Sequence, residues 1–143
     1  VNRRFLEWNL ALNSIKNVSI FPVAIGSRSG TGTMNDAGGP SKLGTSGQFV
    51  VPISPLDLIA VNWTKLDFVK IDVEGFEVEV LRGARETFGR LKPDLLIESH
   101  HLYGNDLKLL QDLEAELVAM NYSWTVFTHP SYEFSYYLVC KHD

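Results

Sequence analysis

Residues 66–84, reading LDFVKIDVEGFEVEVLRGA, constrain the fold more than any other stretch, because they join an apolar strand to a helix through an acidic turn that contains a glycine. Asp67-Phe68-Val69-Lys70-Ile71 is a β-branched and aromatic run suited to a buried strand, and Asp72-Val73-Glu74-Gly75 interrupts it. Val80, Leu81, Ala84, Phe88 and Leu91 then recur at helical spacing as one apolar face, with Glu77, Glu79, Arg82, Arg85, Glu86 and Arg90 assigned to solvent. A strand that feeds a helix in this way is the building unit of an α/β sheet. In an open α/β sheet, ligands bind outside the carboxyl ends of the strands. Asp72 and Glu74 would stand there, and either chemistry or capping of the following helix accounts for carboxylates at such a place.

The rest of the chain supplies further elements. Phe5, Trp8, Leu12 and Ile15 form one face of an opening helix, and residues 18–21 read as a strand. Residues 27–48 are rich in Gly, Ser, Thr and Asn, which predicts a hairpin or a mobile loop, and residues 48–53 read as a second strand. Ser54-Pro55 offers an N-cap with proline at the first position of a short helix over residues 55–60. Lys92-Pro93 stops the long helix and starts the strand Leu95-Leu96-Ile97, which ends in Glu98-Ser99-His100. Leu107, Leu110, Leu113, Leu117 and Met120 share a helical face, and the strands over residues 123–127 and 134–140 should pair antiparallel across a turn containing His129-Pro130.

If the Phe68 and Leu95 strands are adjacent and parallel, roughly 4.8 Å apart, Asp72 and Glu98 emerge side by side and could share a proton. Lys70 alternates to the same side as Asp72 and is its expected ion-pair partner. Glu98, His100 and His101 form a second cluster, but their spacing is not a diagnostic metal motif; His100 is either an acid, base or orienting group or an ordinary loop histidine. Gly30-Thr31-Gly32 does not follow a tight strand or open a helix, so it reads as a hairpin turn and not as a phosphate loop.

Composition narrows the partners. The chain has 143 residues, of which 45% are hydrophobic and 21% charged, enough for one domain with a core. Its net charge of −4 and scattered basic residues argue against nucleic acid, and no apolar run reaches the length of a membrane span. A single cysteine, Cys140, excludes an internal disulfide and suits a reducing, cytoplasmic setting. The three sequons at Asn17, Asn62 and Asn121 follow no secretory signal and read as coincidence.

Val69-Lys70-Ile71-Asp72-Val73-Glu74-Gly75-Phe76-Glu77, followed by Val80-Leu81-Arg82-Gly83-Ala84 and by residues 93–100, resembles the FkbM-type S-adenosylmethionine-dependent methyltransferases. Weaker similarity covers residues 5–13 and 21–26. The resemblance implies a Rossmann-like class I methyltransferase fold, an α/β architecture with a mostly parallel sheet and a C-terminal antiparallel strand pair. It implies S-adenosyl-L-methionine as cofactor and a small-molecule or sugar hydroxyl as acceptor. Asp72, Glu98 and His100 would be catalytic, and Ala24, Ile25, Asp72 and Glu74 would line the cofactor site; a plain strand-to-loop exit is the alternative at Ala24 and Ile25. The family's first strand with its glycine-rich turn, and its second strand ending in an acid, have no counterpart here. Residues 1–143 are therefore expected to be a partial domain with exposed sheet edges, prone to self-association or to poor anchoring of residues 18–23. The competing expectation is a non-catalytic α/β binding or interaction module that retains the second half of the fold.

Overall fold

The computed structural model describes residues 2–34, 43–44, 47–100, 107–129 and 132–143. The elements run α1 (Asn2–Leu12), β1 (Ala24–Ile25), β2 (Gly30–Met34), β3 (Leu43–Gly44), β4 (Phe49–Ser54), α2 (Leu56–Ile59) and β5 (Phe68–Asp72). They continue with α3 (Glu77–Arg82), α4 (Arg85–Leu91), β6 (Asp94–His100), α5 (Leu107–Ala119), β7 (Tyr122–His129) and β8 (Tyr132–His142).

These strands form two four-stranded sheets, ordered β1-β4-β2-β3 and β5-β6-β8-β7. The architecture is mixed α/β, but the expectation of a mostly parallel sheet is corrected. Among the described residues only β1–β4 and β5–β6 pair parallel, while β2–β3, β2–β4, β6–β8 and β7–β8 are antiparallel. Connectivity is the reason. Helices α3 and α4 carry the chain from the end of β5 back to the start of β6, which a parallel pair requires, whereas β7 and β8 follow one another in the chain and pair antiparallel. The glycine-rich stretch contributes β2 and β3, which pair antiparallel as a hairpin does, but Gly30-Thr31-Gly32 is not the turn: it lies within β2, paired with residues 51–53 of β4.

The core lies between one face of the second sheet and helices α3, α4 and α5. Leu81, Phe88, Leu95, Ile97, Leu113, Leu117 and Leu138 have no exposed surface. Strand β6 shows why: Leu95, Ile97 and Ser99 point into the core, while Leu96 and Glu98 point to the opposite face. Tyr122, buried at the start of β7, donates its hydroxyl to the Pro93 carbonyl at 2.9 Å and ties β7 to the start of β6.

Four local expectations change. Residues 18–21 form no strand, because the Phe21 carbonyl accepts the Val23 N–H at 2.8 Å around Pro22, which has no N–H of its own; pairing with β4 starts only at Ala24. Ser54 does not cap α2: the N-cap is Pro55, and Asp57 within α2 instead caps α4, accepting Thr87 N–H at 2.8 Å and Glu86 N–H at 3.3 Å. The long helix divides into α3 and α4 at Gly83-Ala84. A Cβ on Gly83 would lie 2.1 Å from the Gly26 carbonyl oxygen, and the Gly83 carbonyl accepts Asp57 N–H at 3.0 Å, so the break is where the first sheet presses on the helices. Finally, Glu77 is not wet but fully buried. As expected, Lys92 ends α4, in the left-handed conformation with φ of 52°.

Candidate active site

Strand register assembles the site. Asp72 at the end of β5 pairs with Glu98 on β6, and Glu98 pairs with Tyr137 on β8, so the three side chains form a row across adjacent strands. This row lies on the sheet face opposite the core. Lys70, two residues before Asp72 and on the same side, reaches Asp72 Oδ2 at 2.7 Å and Glu98 Oε2 at 3.7 Å. Tyr137 donates its hydroxyl to Glu98 Oε1 at 3.1 Å. The expected adjacency of Asp72 and Glu98 is thus present, with a cation inserted against both carboxylates.

The electrostatics follow from the geometry. The bond to Asp72, reinforced by the charges of Asp72 and Glu98, raises the Lys70 ammonium above its ordinary 10.5 despite some opposing desolvation. Partial burial and then the bond to Glu98 raise Tyr137 as well, so its phenol remains a donor at neutral pH. Side-chain exposure is 49% for Lys70, 37% for Asp72 and 16% for Glu98, so Asp72 is the more exposed of the two carboxylates.

Beside this row lies a cavity of about 420 Å³, within the range of about 300–1,000 Å³ of small-molecule sites. Ala24, Ile25, Asp72 and Glu74 all line it, so the four residues named from the sequence as cofactor contacts share one wall space. Val23, Phe76 and Val80 give it an apolar body. The carboxylates reach it because of the turn after β5, where Glu74 and Gly75 are both left-handed, with φ of 55° and 98°, and Phe76 N–H bonds the Val73 carbonyl at 3.3 Å. A long, regular strand-to-helix crossover would carry Glu74 past this opening.

Two contributors escaped the sequence reading. Glu77 lies beneath the turn, its Oε1 accepting the Gly75 N–H at 2.9 Å. Its position three and four residues before Val80 and Leu81 was a usable signal, since that spacing sets it on the apolar face. Tyr137 left no such signal, because antiparallel register is not written in strand composition. His100 ends β6, but its side chain, all of His101 and Pro130 lie outside the described residues. Among the described residues no group of three His, Cys, Asp or Glu side chains converges on a metal position. No helix among them is long and apolar enough to cross a membrane.

Comparison with known proteins points the same way. A structural relative, the crystal structure of methyltransferase FkbM from Methylobacillus flagellatus KT, aligns with a TM-score of 0.65 at 19% identity, which shows the fold. The alignment covers 97% of this chain and 33% of that one, so the chain spans a third of its relative's length. No curated protein matches. Residues 2–124 match the methyltransferase FkbM domain, which is most of the chain and includes the β5 turn, the α3–α4 pair and β6. The chain therefore belongs to the FkbM methyltransferase domain family.

Proposed function

We propose that this protein is an S-adenosylmethionine-dependent methyltransferase acting on a hydroxyl of a small molecule or sugar. The observation that carries the reading is the single cavity lined by Ala24, Ile25, Asp72 and Glu74, directly beside the Asp72–Glu98 row. The donor set fits the cofactor. An apolar wall from Val23, Ala24, Ile25 and Phe76 suits an adenine ring, and Asp72 and Glu74 suit hydroxyl and cationic groups. When bound, S-adenosylmethionine supplies an electrophilic methyl group.

The chain's own residues do the rest. Ala24, Ile25 and Glu74 hold the donor, and Asp72 orients the acceptor hydroxyl and takes its proton on a carboxylate oxygen. Lys70 offsets the repulsion between Asp72 and Glu98, and Glu98 supports Asp72 from the neighbouring strand. His100, at the end of β6, completes the catalytic set in this reading. The single buried Cys140 is consistent with work in the cytoplasm, and a Rossmann-like class I arrangement is part of the same proposal. Exposed sheet edges at β1 and β5 favour self-association, for which concentration-dependent sedimentation is the check.

Calorimetric titration of the protein at its natural length with S-adenosylmethionine tests the reading. Saturable binding that weakens on Glu74→Gln is expected, together with methyl transfer to a panel of hydroxyl compounds that disappears on Asp72→Asn. Transfer that survives Asp72→Asn removes Asp72 from the mechanism, and absence of binding leaves the non-catalytic module as the better account.

A further inference from the structure

Glu77 occupies a position unusual for its chemistry. Its side chain has no exposed surface, although it begins α3 only two residues beyond an exposed glycine. The other deeply buried carboxylate among the described residues, Glu116, is 5% exposed and is met by the Arg82 and Arg85 guanidiniums. Glu77 accepts a backbone hydrogen bond from Gly75, at 2.9 Å from Oε1. A buried acid is retained against a desolvation cost, so the group it holds is the place to look for its use.

That group is the turn that aims the site. Glu74 and Gly75 have φ of 55° and 98°, and a non-glycine residue in the left-handed region needs support from its surroundings. A Cβ on Gly75 would meet nothing within 4 Å, so open space is available there and only the backbone conformation calls for glycine. The turn protrudes between Asp72 and α3, closed by the Phe76-to-Val73 bond and fastened from below through the Gly75 N–H. Asp72 and Glu74 flank it and both line the cavity.

We infer that Glu77 is a positioning residue that locks the Glu74-Gly75 turn and thereby sets how Asp72 and Glu74 face the cavity. The inference rests on the donor-site reading of that cavity. Glu77 does not line the cavity; it acts through the backbone of Gly75. The role differs from space filling, because leucine would fill the same volume without accepting the bond.

Amide hydrogen exchange and calorimetry with S-adenosylmethionine test the inference on the protein and its variants. Glu77→Leu should accelerate exchange at Gly75 about tenfold and weaken S-adenosylmethionine by a similar factor, the loss of roughly one hydrogen bond. Glu77→Gln keeps an oxygen acceptor and should retain both the protection and the affinity. Should the leucine variant fail to fold, Gly75→Ala reads the same device, since it strains the exposed turn and leaves Glu77 in place. A Gly75 amide that exchanges freely in the parent protein, or Glu77→Leu and Gly75→Ala variants that keep full affinity, overturns the inference. If Asp72→Asn and Glu74→Gln also leave binding unchanged, the donor-site reading itself falls; if those two weaken it while Glu77→Leu and Gly75→Ala do not, only the positioning role falls.

Discussion

The two sheets use similar apolar residues to opposite ends. In the second sheet and its helices, Phe88, Leu95, Ile97, Leu117 and Leu138 are wholly buried. In the N-terminal part, Phe5, Trp8, Leu12, Phe49 and Val50 are all at least half exposed, from 50% for Phe49 to 72% for Val50. Both regions have amphipathic elements, so the difference lies in what each face meets. Helices α3 to α5 close over one side of the second sheet, whereas these side chains of α1 and β4 keep half or more of their surface in water. An apolar pattern earns stability only when a second surface removes it from water.

The contrast predicts a large difference between substitutions. Phe88→Ala should cost about 3–5 kcal/mol, while Trp8→Ala, at 59% exposure, should fall within about 0.5 kcal/mol. Urea denaturation compares them, and equal costs would break the contrast. Next in size is Gly83→Ala at the contact between the regions. The added methyl meets the Gly26 carbonyl, so a loss of about 1–3 kcal/mol is expected. Hydrogen exchange should show it as earlier loss of protection in β4 than in β6; simultaneous loss would mean that the sheets open as one unit.

Removing the cap that α2 provides to α4 should cost less. Asp57→Ala deletes the acceptor of the Thr87 and Glu86 amides and should destabilise by about 1 kcal/mol, measured as a lower denaturation midpoint. Acid should act on both regions. Glu116 is held below the ordinary carboxylate value of 4.5 because bonds from Arg82 and Arg85 outweigh its burial. Glu79 is held below 4.5 first by its bond from Ser27, which ties the N-terminal loop to α3, and then by Arg82. Since both folded values are depressed, their contribution is complete above about pH 4.5 and is lost as pH falls through the folded-state values. Melting temperature measured from pH 6 to 3 should therefore decline only at the acid end, and less steeply in Glu79→Gln. The smallest effect is a reporter: burial pushes the Cys140 thiol up to about 12, so at pH 8 a thiol reagent should label it only when the second sheet opens.

Much of the site was legible in residue order. The β-branched run before Asp72, the glycine at 75 and the strand before Glu98 specified a strand, a turn and a second strand, and adjacency of Asp72 with Glu98 followed once those strands paired parallel. Lys70 followed from alternation alone. What escaped was set by contacts between distant segments. The break at Gly83 depends on the Gly26 carbonyl 57 residues earlier, Asp57 caps a helix that starts 28 residues later, and Tyr137 meets Glu98 by the register of β8. Residues 18–21 had strand composition, but Pro22 and the local turn removed the backbone groups that pairing needs.

By itself, the order of residues determined the turn from β5 to α3 and which side chains could stand near it, because alternation, helical spacing and glycine's access to positive φ are local properties of the chain. Only the tertiary structure decided that Glu77 lies beneath the turn, that Lys70 serves two carboxylates, and that Ala24 and Ile25 share a cavity with Asp72 and Glu74. Those facts depend on register and on one sheet meeting another, which local propensities do not encode.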